Sequence, residues 1–291
     1  MVPVPRTRLS IKRYPEGSTT GFILTTTTPH HCLPSFVTIF NHPQHLHQLR
    51  MSTITLVTGA NQGIGLSTAI ILAKQHNHHV IIASRNADAG EKVAASIRND
   101  GASASSLQLD LTSDGSIEAA AKTIEQNHGR LDVLINNAGV LLDGKNPNQS
   151  TRDLFTETIN TNVIGTAVLT DALLPLLRKS SQPRVVFLSS RMGSLHQATV
   201  TDTPFYAVDY KAYDASKAAV NMLALNYARI LDDVGAKVNA VCPQLVKTNL
   251  TGYVEYGITT DQGAERVVEL ATLDQDGPTR TFSDRDGSIA W

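Results

Sequence analysis

Tyr213 and Lys217 stand four residues apart in the run Tyr213-Asp214-Ala215-Ser216-Lys217. On a helix that spacing puts both side chains on one face. A tyrosine alone titrates near ~10 and exchanges protons poorly at neutral pH. An ammonium beside it favours the phenolate and tunes it for acid/base work. Chance alone places such a pair in about a quarter of chains of this composition, so it needs company. Ser190 ends an apolar run upstream. Its hydroxyl can hydrogen-bond a carbonyl oxygen and stabilise the charge that develops during hydride transfer. Ser189 is the adjacent rival for that role, and a plain strand-end cap is the simpler reading of either serine.

A second constellation suits phosphate. Thr58-Gly59-Ala60-Asn61-Gln62-Gly63-Ile64-Gly65 follows an apolar run and opens a helical pattern. Glycines let the backbone turn sharply and approach a pyrophosphate, and a helix N-terminus offers it free N–H groups. Gly59, Asn61, Gly63, Ile64 and Gly65 are therefore candidate cofactor contacts. The next apolar run ends in Ser84-Arg85-Asn86. NAD-binding folds usually carry an acidic residue there, for the ribose 2′-OH. Here no carboxylate repels a 2′-phosphate, and Arg85 can pair with one, so NADPH is expected over NADH.

These groups meet only if the elements between them form one sheet. Short apolar runs at Thr53–Thr58, Val80–Ala83, Leu107–Leu109, Leu131–Asn136, Arg184–Ser189 and Lys237–Val241 read as strands, with a last short strand within Arg280–Trp291. Between them lie helical patterns at Gly63–Gln75, Ala87–Asn99, Ser113–His128, Asp153–Lys179 (one long helix), Tyr213–Asp232 and Gln262–Leu273. Continuous apolar strands alternating with helices predict an α/β fold: a single Rossmann domain with a doubly wound parallel sheet of about seven strands. The carboxyl edge of such a sheet gathers its active groups.

Composition narrows the classes further. The chain has 291 residues, 41% hydrophobic and 18% charged, with a net charge of −1. No basic excess points to nucleic acid. Two cysteines, Cys32 and Cys242, exclude a disulfide framework and a four-thiolate metal site, and no metal is expected. No apolar run reaches the ~18 residues of a membrane span. Residues 1–50 differ from the rest: 5 of the 10 histidines fall there, and Arg6, Arg8, Lys12, Arg13 and Arg50 against Glu16 make the segment +4, leaving −5 for the remainder. It is expected to be a disordered or weakly ordered extension, with the domain at 51–291 and Met51 as the economical start of translation. A mitochondrial transit peptide and a metal tract of His30, His31, His42, His45 and His47 are the competing readings of 1–50. A cytoplasmic location is expected otherwise.

Taken together, residues 51–291 resemble the short-chain dehydrogenase/reductase family. The likeness rests on Thr58–Gly65, Asp110, Asn136-Asn137-Ala138-Gly139, Asn162-Val163-Ile164-Gly165, Ser190 and Tyr213-x-x-x-Lys217. It implies Tyr213 as the acid/base, and Lys217 lowering its pKa and binding the nicotinamide ribose. It implies Ser190 orienting the carbonyl, and Asn162 holding a water that links Lys217 to solvent. Asp110 would contact the adenine, and Asn137 the adenine ribose or the sheet centre. The family has Pro-Gly after the sixth strand and then a Thr that meets the carboxamide. Here Pro243 precedes Gln244, with Val246 and Thr248 in the expected places.

The 22 residues between Ser190 and Tyr213 form an insertion holding Pro204, Phe205, Tyr206 and Tyr210. It resembles the carbonyl-reductase-like members and is expected beside the substrate pocket. It is also expected to favour a monomer over the homo-oligomers of many relatives. Asn249–Thr260 reads as a mobile lid, with Tyr253 and Tyr256 available to line an apolar substrate. The ending Thr281–Trp291 resembles fungal reductases of this group, which suggests secondary metabolism. The expected function is NADPH-dependent interconversion of a ketone or aldehyde and an alcohol. A catalytically silent NADP(H)-binding sensor is the alternative from another class. An epimerase or dehydratase of the extended branch fits less well, since only 43 residues follow Thr248.

Overall fold

The computed structural model describes residues 52–291. The expectations placed on 1–50, and the boundary at Met51, lie outside the described residues. Within 52–291 the order is β1 (Ile54–Thr58), α1 (Gly63–Gln75), β2 (His79–Ser84), α2 (Ala87–Asn99), β3 (Ala104–Gln108), α3 (Asp114–His128) and β4 (Val133–Asn136). Then come α4 (Thr151–Ile159), α5 (Thr166–Leu177), β5 (Arg184–Leu188), α6 (Lys211–Ile230), β6 (Lys237–Val241), α7 (Thr260–Ala271), β7 (Phe282–Asp284) and β8 (Gly287–Ser288).

One sheet of eight strands runs β3-β2-β1-β4-β5-β6-β7-β8. β1 to β7 pair in parallel, and only β8 turns back antiparallel on β7. The α/β sheet expected from the sequence is thus present, with one strand more than the seven anticipated. The extra strand arises because Asp284–Gly287 is a tight turn that splits the ending into a hairpin.

The core explains why the strands read as unbroken apolar runs. β1 is buried along its whole length. Successive side chains of a strand face opposite ways. Leu56 therefore packs with α3, α5 and α6, through residues such as Ile117, Leu173 and Tyr227. Val57 packs on the other face with α1, α2 and α7, through Leu72, Ile97 and Val267. Each fully buried large side chain of this kind contributes about 1.5–3 kcal/mol. Phe187 of β5 stacks on Tyr227 of α6 with ring centroids 5.9 Å apart, fixing α6 against the sheet.

Two expectations are corrected. β3 is Ala104–Gln108 rather than Leu107–Leu109. As an edge strand it is defined by pairing to Val80–Ser84, so Ser105 and Ser106 belong to it although they are not apolar. The single helix expected at Asp153–Lys179 is two helices joined by a π-helical segment, Asn160–Gly165. Glycine is needed where that segment ends, because a Cβ on Gly165 would lie 2.1 Å from the Leu111 carbonyl oxygen. The continuous helical stretch Thr151–Leu177 also reaches the length and hydropathy of a membrane span, at a mean of 1.2 over its apolar window. Its Leu169, Leu173, Leu176 and Leu177 are spent inside the core.

Candidate active site

The strand order reverses between β1 and β4, and a cleft of about 1500 Å³ opens over the carboxyl ends of the strands. Ligands of open α/β sheets bind at such a switch point. The β1–α1 loop forms one wall. Gly59 and Gly63 have φ of +65° and +59°, a conformation that a Cβ strains. A Cβ on Gly65 would come within 2.5 Å of Asn137 Nδ2 and 2.8 Å of the Gly59 oxygen. Gln62 makes no side-chain cap on α1, and the first turn of α1 carries no acidic residue. The helix therefore presents its own N–H groups and positive end to the cleft. Across from it, Thr248 Cγ2 would lie 3.4 Å from a Cβ on Gly63, so the segment after β6 closes over the loop.

Thr58 joins the central strands. Its hydroxyl accepts the N–H groups of Asn137 and Ala138, both at 2.9 Å. Asn137 Nδ2 donates to the Thr58 carbonyl at 2.7 Å. Of the two readings of Asn137, the sheet-centre one describes these bonds. Arg85 and Asp110 line the far end of the cleft. Hydrogen bonds from Thr112, first its backbone N–H and then its hydroxyl, hold the Asp110 carboxyl below the usual range, and the Arg85 charge adds to this. Arg85 makes no ion pair among the described residues.

The first turn of α6 carries Tyr213, and the second carries Lys217. Lys217 Nζ stands 5.5 Å from the centroid of the Tyr213 ring and donates to the Leu188 carbonyl at 2.8 Å. Burial lowers the Lys217 pKa to about 8. Burial also raises Tyr213 above the usual tyrosine range, and Cys242 adds to the rise, whereas a hydrogen bond with Ser190 pulls the other way. The sequence assigned the downward pull to Lys217. Desolvation by burial is the largest influence on the phenol in the folded site. The two serines also separate. Ser189 is buried and donates its hydroxyl to the Lys217 carbonyl at 3.3 Å. Ser190 lines the cleft beside Tyr213.

Gly59, Asn61, Gly63, Ile64, Arg85, Asp110, Asn137, Ser190, Tyr213, Lys217, Val246 and Thr248 all border this one cleft. Gly65 and Asn162 are not on its lining. Asn162 stands behind it, in the π-helical segment, 2% exposed. Its Oδ1 accepts the Val140 N–H at 2.8 Å, and its Nδ2 donates to the Val140 carbonyl at 2.9 Å and to Ser216 Oγ at 3.0 Å. Ser216 Oγ in turn donates to the Tyr213 carbonyl at 2.6 Å. The Asn162 side chain thus ties the β4 loop to α6.

Two contributors were missed in the sequence. Asp143, buried in the loop after β4, accepts the N–H groups of Ala212 and Tyr213 at 3.0 and 3.1 Å and caps α6 from 70 residues away. No local spacing signals a cap so remote. Gly193 lets the loop after Ser190 lie on α6, where a Cβ would approach the Lys217 carbonyl carbon to 2.5 Å. A Gly three residues past a candidate catalytic serine was the available hint. Gln244, standing where a glycine was expected, has φ +66°, so the left-handed backbone path is kept.

The segment Asn249–Thr260 is tied at its base. Lys247 N–H donates to the Ile258 carbonyl at 2.9 Å, and Ile258 N–H to the Leu245 carbonyl at 2.8 Å. Tyr253 and Tyr256, 64% and 84% exposed, stand at the cleft mouth. Pro204, Phe205 and Tyr210 of the insertion line the cleft with them, whereas Tyr206 faces solvent.

The model of the short chain dehydrogenase family matches residues 53–257. A short-chain dehydrogenase of Penicillium roqueforti, anuI, is 34% identical over 225 residues, covering 75% of this chain and 88% of its own. The short-chain dehydrogenase/reductase ATR10 of Stachybotrys chlorohalonatus is 35% identical over 253 residues, covering 80% and 88%. Among solved structures, an NADPH-bound carbonyl reductase from chicken fatty liver is 25% identical with a TM-score of 0.70, covering 84% of this chain and 100% of that one. Salutaridine reductase from Papaver somniferum is 26% identical with a TM-score of 0.67, covering 80% and 99%. With two thirds of its length matched by the family model and the cleft at the family's place in the sheet, the chain belongs to the short-chain dehydrogenases.

Proposed function

We propose that this protein is an NADPH-dependent reductase that interconverts an apolar ketone or aldehyde and its alcohol. The observation that carries the reading is the convergence of Ser190, Tyr213 and Lys217 in the cleft that the glycine loop opens. That loop fits a dinucleotide: its positive-φ glycines and the uncapped N-terminus of α1 suit a pyrophosphate. Arg85, free of carboxylate partners among the described residues, suits a 2′-phosphate. Asp110 would take the adenine, and Val246 and Thr248 the nicotinamide end. NADPH, when bound, supplies the hydride.

The residues of the chain do the rest. Ser190 and Tyr213 together would hold the carbonyl oxygen by two hydrogen bonds. Burial keeps the phenol protonated, which is the form that donates a proton to the oxygen as negative charge grows there. Lys217, with a pKa of about 8, is an ammonium at neutral pH and favours the phenolate left behind. The substrate half of the cleft is walled by Leu141, Met192, Phe205, Val208, Tyr253 and Tyr256, which suits an apolar ring system better than a charged metabolite. The fungal relatives at 34% and 35% identity favour a setting in fungal secondary metabolism.

The test is turnover of a panel of apolar ketones and aldehydes, followed by NADPH absorbance and repeated with NADH. Wild type is expected to favour NADPH, and Arg85→Ala to lose at least tenfold in kcat/KM with NADPH alone. Tyr213→Phe should lose about 10²-fold or more in kcat while still binding NADPH. Turnover by Tyr213→Phe at the wild-type rate sinks the assignment. Tight NADPH binding with no turnover of any carbonyl favours the sensor instead.

A further inference from the structure

The hairpin at the end of the sheet carries a carboxylate with no part in the scheme above. Asp284 ends β7 and is 4% exposed. Its Oδ1 accepts the N–H groups of Asp286 at 2.9 Å and Gly287 at 3.2 Å, closing the turn into β8. Its Oδ2 reaches out of the hairpin and accepts Arg191 Nη2 at 2.9 Å and Gln244 Nε2 at 3.3 Å. Asp286 Oδ2 accepts the same Gln244 amide at 2.6 Å. Burial works to raise the Asp284 pKa, but the donors from Asp286, Gln244 and Arg191 outweigh it and hold the carboxyl below the usual range.

The two partners belong to the two loops that frame the reacting atoms. Arg191 follows Ser190 directly, and Gln244 follows Pro243 at the start of the segment that leads to Val246 and Thr248. Both line the cleft. The Gln244 backbone is also tied to the end of β6: its N–H donates to Cys242 Sγ at 3.4 Å. A left-handed conformation is unfavourable for an L-residue. Gln244 holds it at φ +66° with its amide seated between two carboxylates. Beyond β8, Ser194 Oγ donates to the Ala290 carbonyl at 2.6 Å and the His196 N–H to the Trp291 carbonyl at 3.0 Å. Trp291 lies against Phe282 with ring centroids 5.5 Å apart. The hairpin therefore fastens both loops and the start of the insertion.

We propose that Asp284 is a positioning residue of the active site: by joining Arg191 to Gln244 it sets Ser190 against the nicotinamide-side loop. The inference rests on the reductase reading. Asp284→Asn keeps the volume and the turn, yet presents an amide where two donors need an acceptor. The control is Ser283→Ala. Ser283 is equally buried on the same strand, but its hydroxyl accepts Arg266 Nε at 3.0 Å, outside both loops.

Steady-state kinetics, NADPH titration and acrylamide quenching of Trp291, the single tryptophan of the chain, read the outcome. Asp284→Asn is expected to lower kcat at least tenfold and to raise Trp291 quenching, with the Kd for NADPH within threefold of wild type. Ser283→Ala is expected to leave kcat within twofold and quenching unchanged. If Asp284→Asn does not fold, Gln244→Gly keeps the backbone path and should lower kcat at least threefold. An unchanged kcat, or unchanged quenching, in Asp284→Asn overturns the proposal, as does an unchanged kcat in Gln244→Gly. If wild type reduces no carbonyl, the reductase reading falls and the quenching comparison alone decides the role of Asp284.

Discussion

Replacing Asp143 with Ala tests whether α6, the helix that carries Tyr213 and Lys217, is held in place from outside itself. The α6 N-cap residue, Tyr210, makes no side-chain cap. Asp143 accepts the N–H groups of Ala212 and Tyr213 at 3.0 and 3.1 Å instead, at 6% exposure. Each bond to a buried carboxylate is worth about 1.5–3 kcal/mol, and the charge at a helix N-terminus adds up to ~1 kcal/mol. One gain opposes the loss. Asp214 is raised to about 7 by burial and by repulsion from Asp143 and Asp209, and the Asp143 share of that repulsion is relieved. The net expectation is about 3 kcal/mol of lost stability. At ~2–4 °C per kcal/mol for a domain of this size, the Tm should fall by roughly 6–12 °C. Tyr213 is also released at its own backbone nitrogen. Small misplacement of a catalytic group is expensive, so kcat should fall about tenfold at temperatures well below the Tm. Asp143→Asn, which keeps one acceptor, should fall between. Thermal melts with kinetics at 20 °C check both. A Tm loss under about 2 °C with kcat within twofold refutes the cap, because no pair of buried charged bonds is that cheap.

Other perturbations probe separate parts. Gly65→Ala puts a methyl 2.5 Å from Asn137 Nδ2 and 2.8 Å from the Gly59 oxygen. It should cost about 1–3 kcal/mol in a melt and weaken NADPH binding at least tenfold in a fluorescence titration. The folded pKa of Asp214, about 7, lies above its unfolded value near 3.8, so the folded state binds the extra proton and stability falls as pH rises through that window. Discounted for partial solvent screening of the carboxylate, Asp214→Asn should gain about 1 kcal/mol above pH 7 and flatten the Tm–pH profile between pH 4 and 7. Lys217 loses its ammonium above its pKa of about 8, so kcat for reduction should decline above that pH, and Lys217→Met should abolish the decline along with most of the activity.

The glycine loop, five of the parallel strands (β1, β2, β4, β5 and β6) and the Tyr213–Lys217 pair were all legible in the chain, because each rests on local chemistry. Glycine is required where φ is positive, apolar runs where both faces of a strand are buried, and a four-residue spacing where two side chains share a helix face. The likeness of Thr58–Gly65, Asn162 and Ser190 to a known family rested on the same short runs. What stayed hidden lacked a local signature. β3 is recognised by its register with β2, not by its serines. The π-helical segment at Asn160–Gly165 ends on a glycine that sits against Leu111, a neighbour supplied by folding and not by the local sequence. Asp143 and Asp284 look like ordinary turn residues until folding brings them to the Tyr213 N–H and to Arg191. The balance of protonation was hidden too. Sequence spacing places Lys217 beside Tyr213, but only burial in the assembled cleft decides that the phenol stays high and the ammonium comes down to about 8. Desolvation is a property of everything packed around a group, and it is drawn from elements far apart in the chain. The residue types and their order therefore determined the family and the groups that line the cleft, and the tertiary structure decided which carboxylates hold those groups in place and how burial shifts their protons.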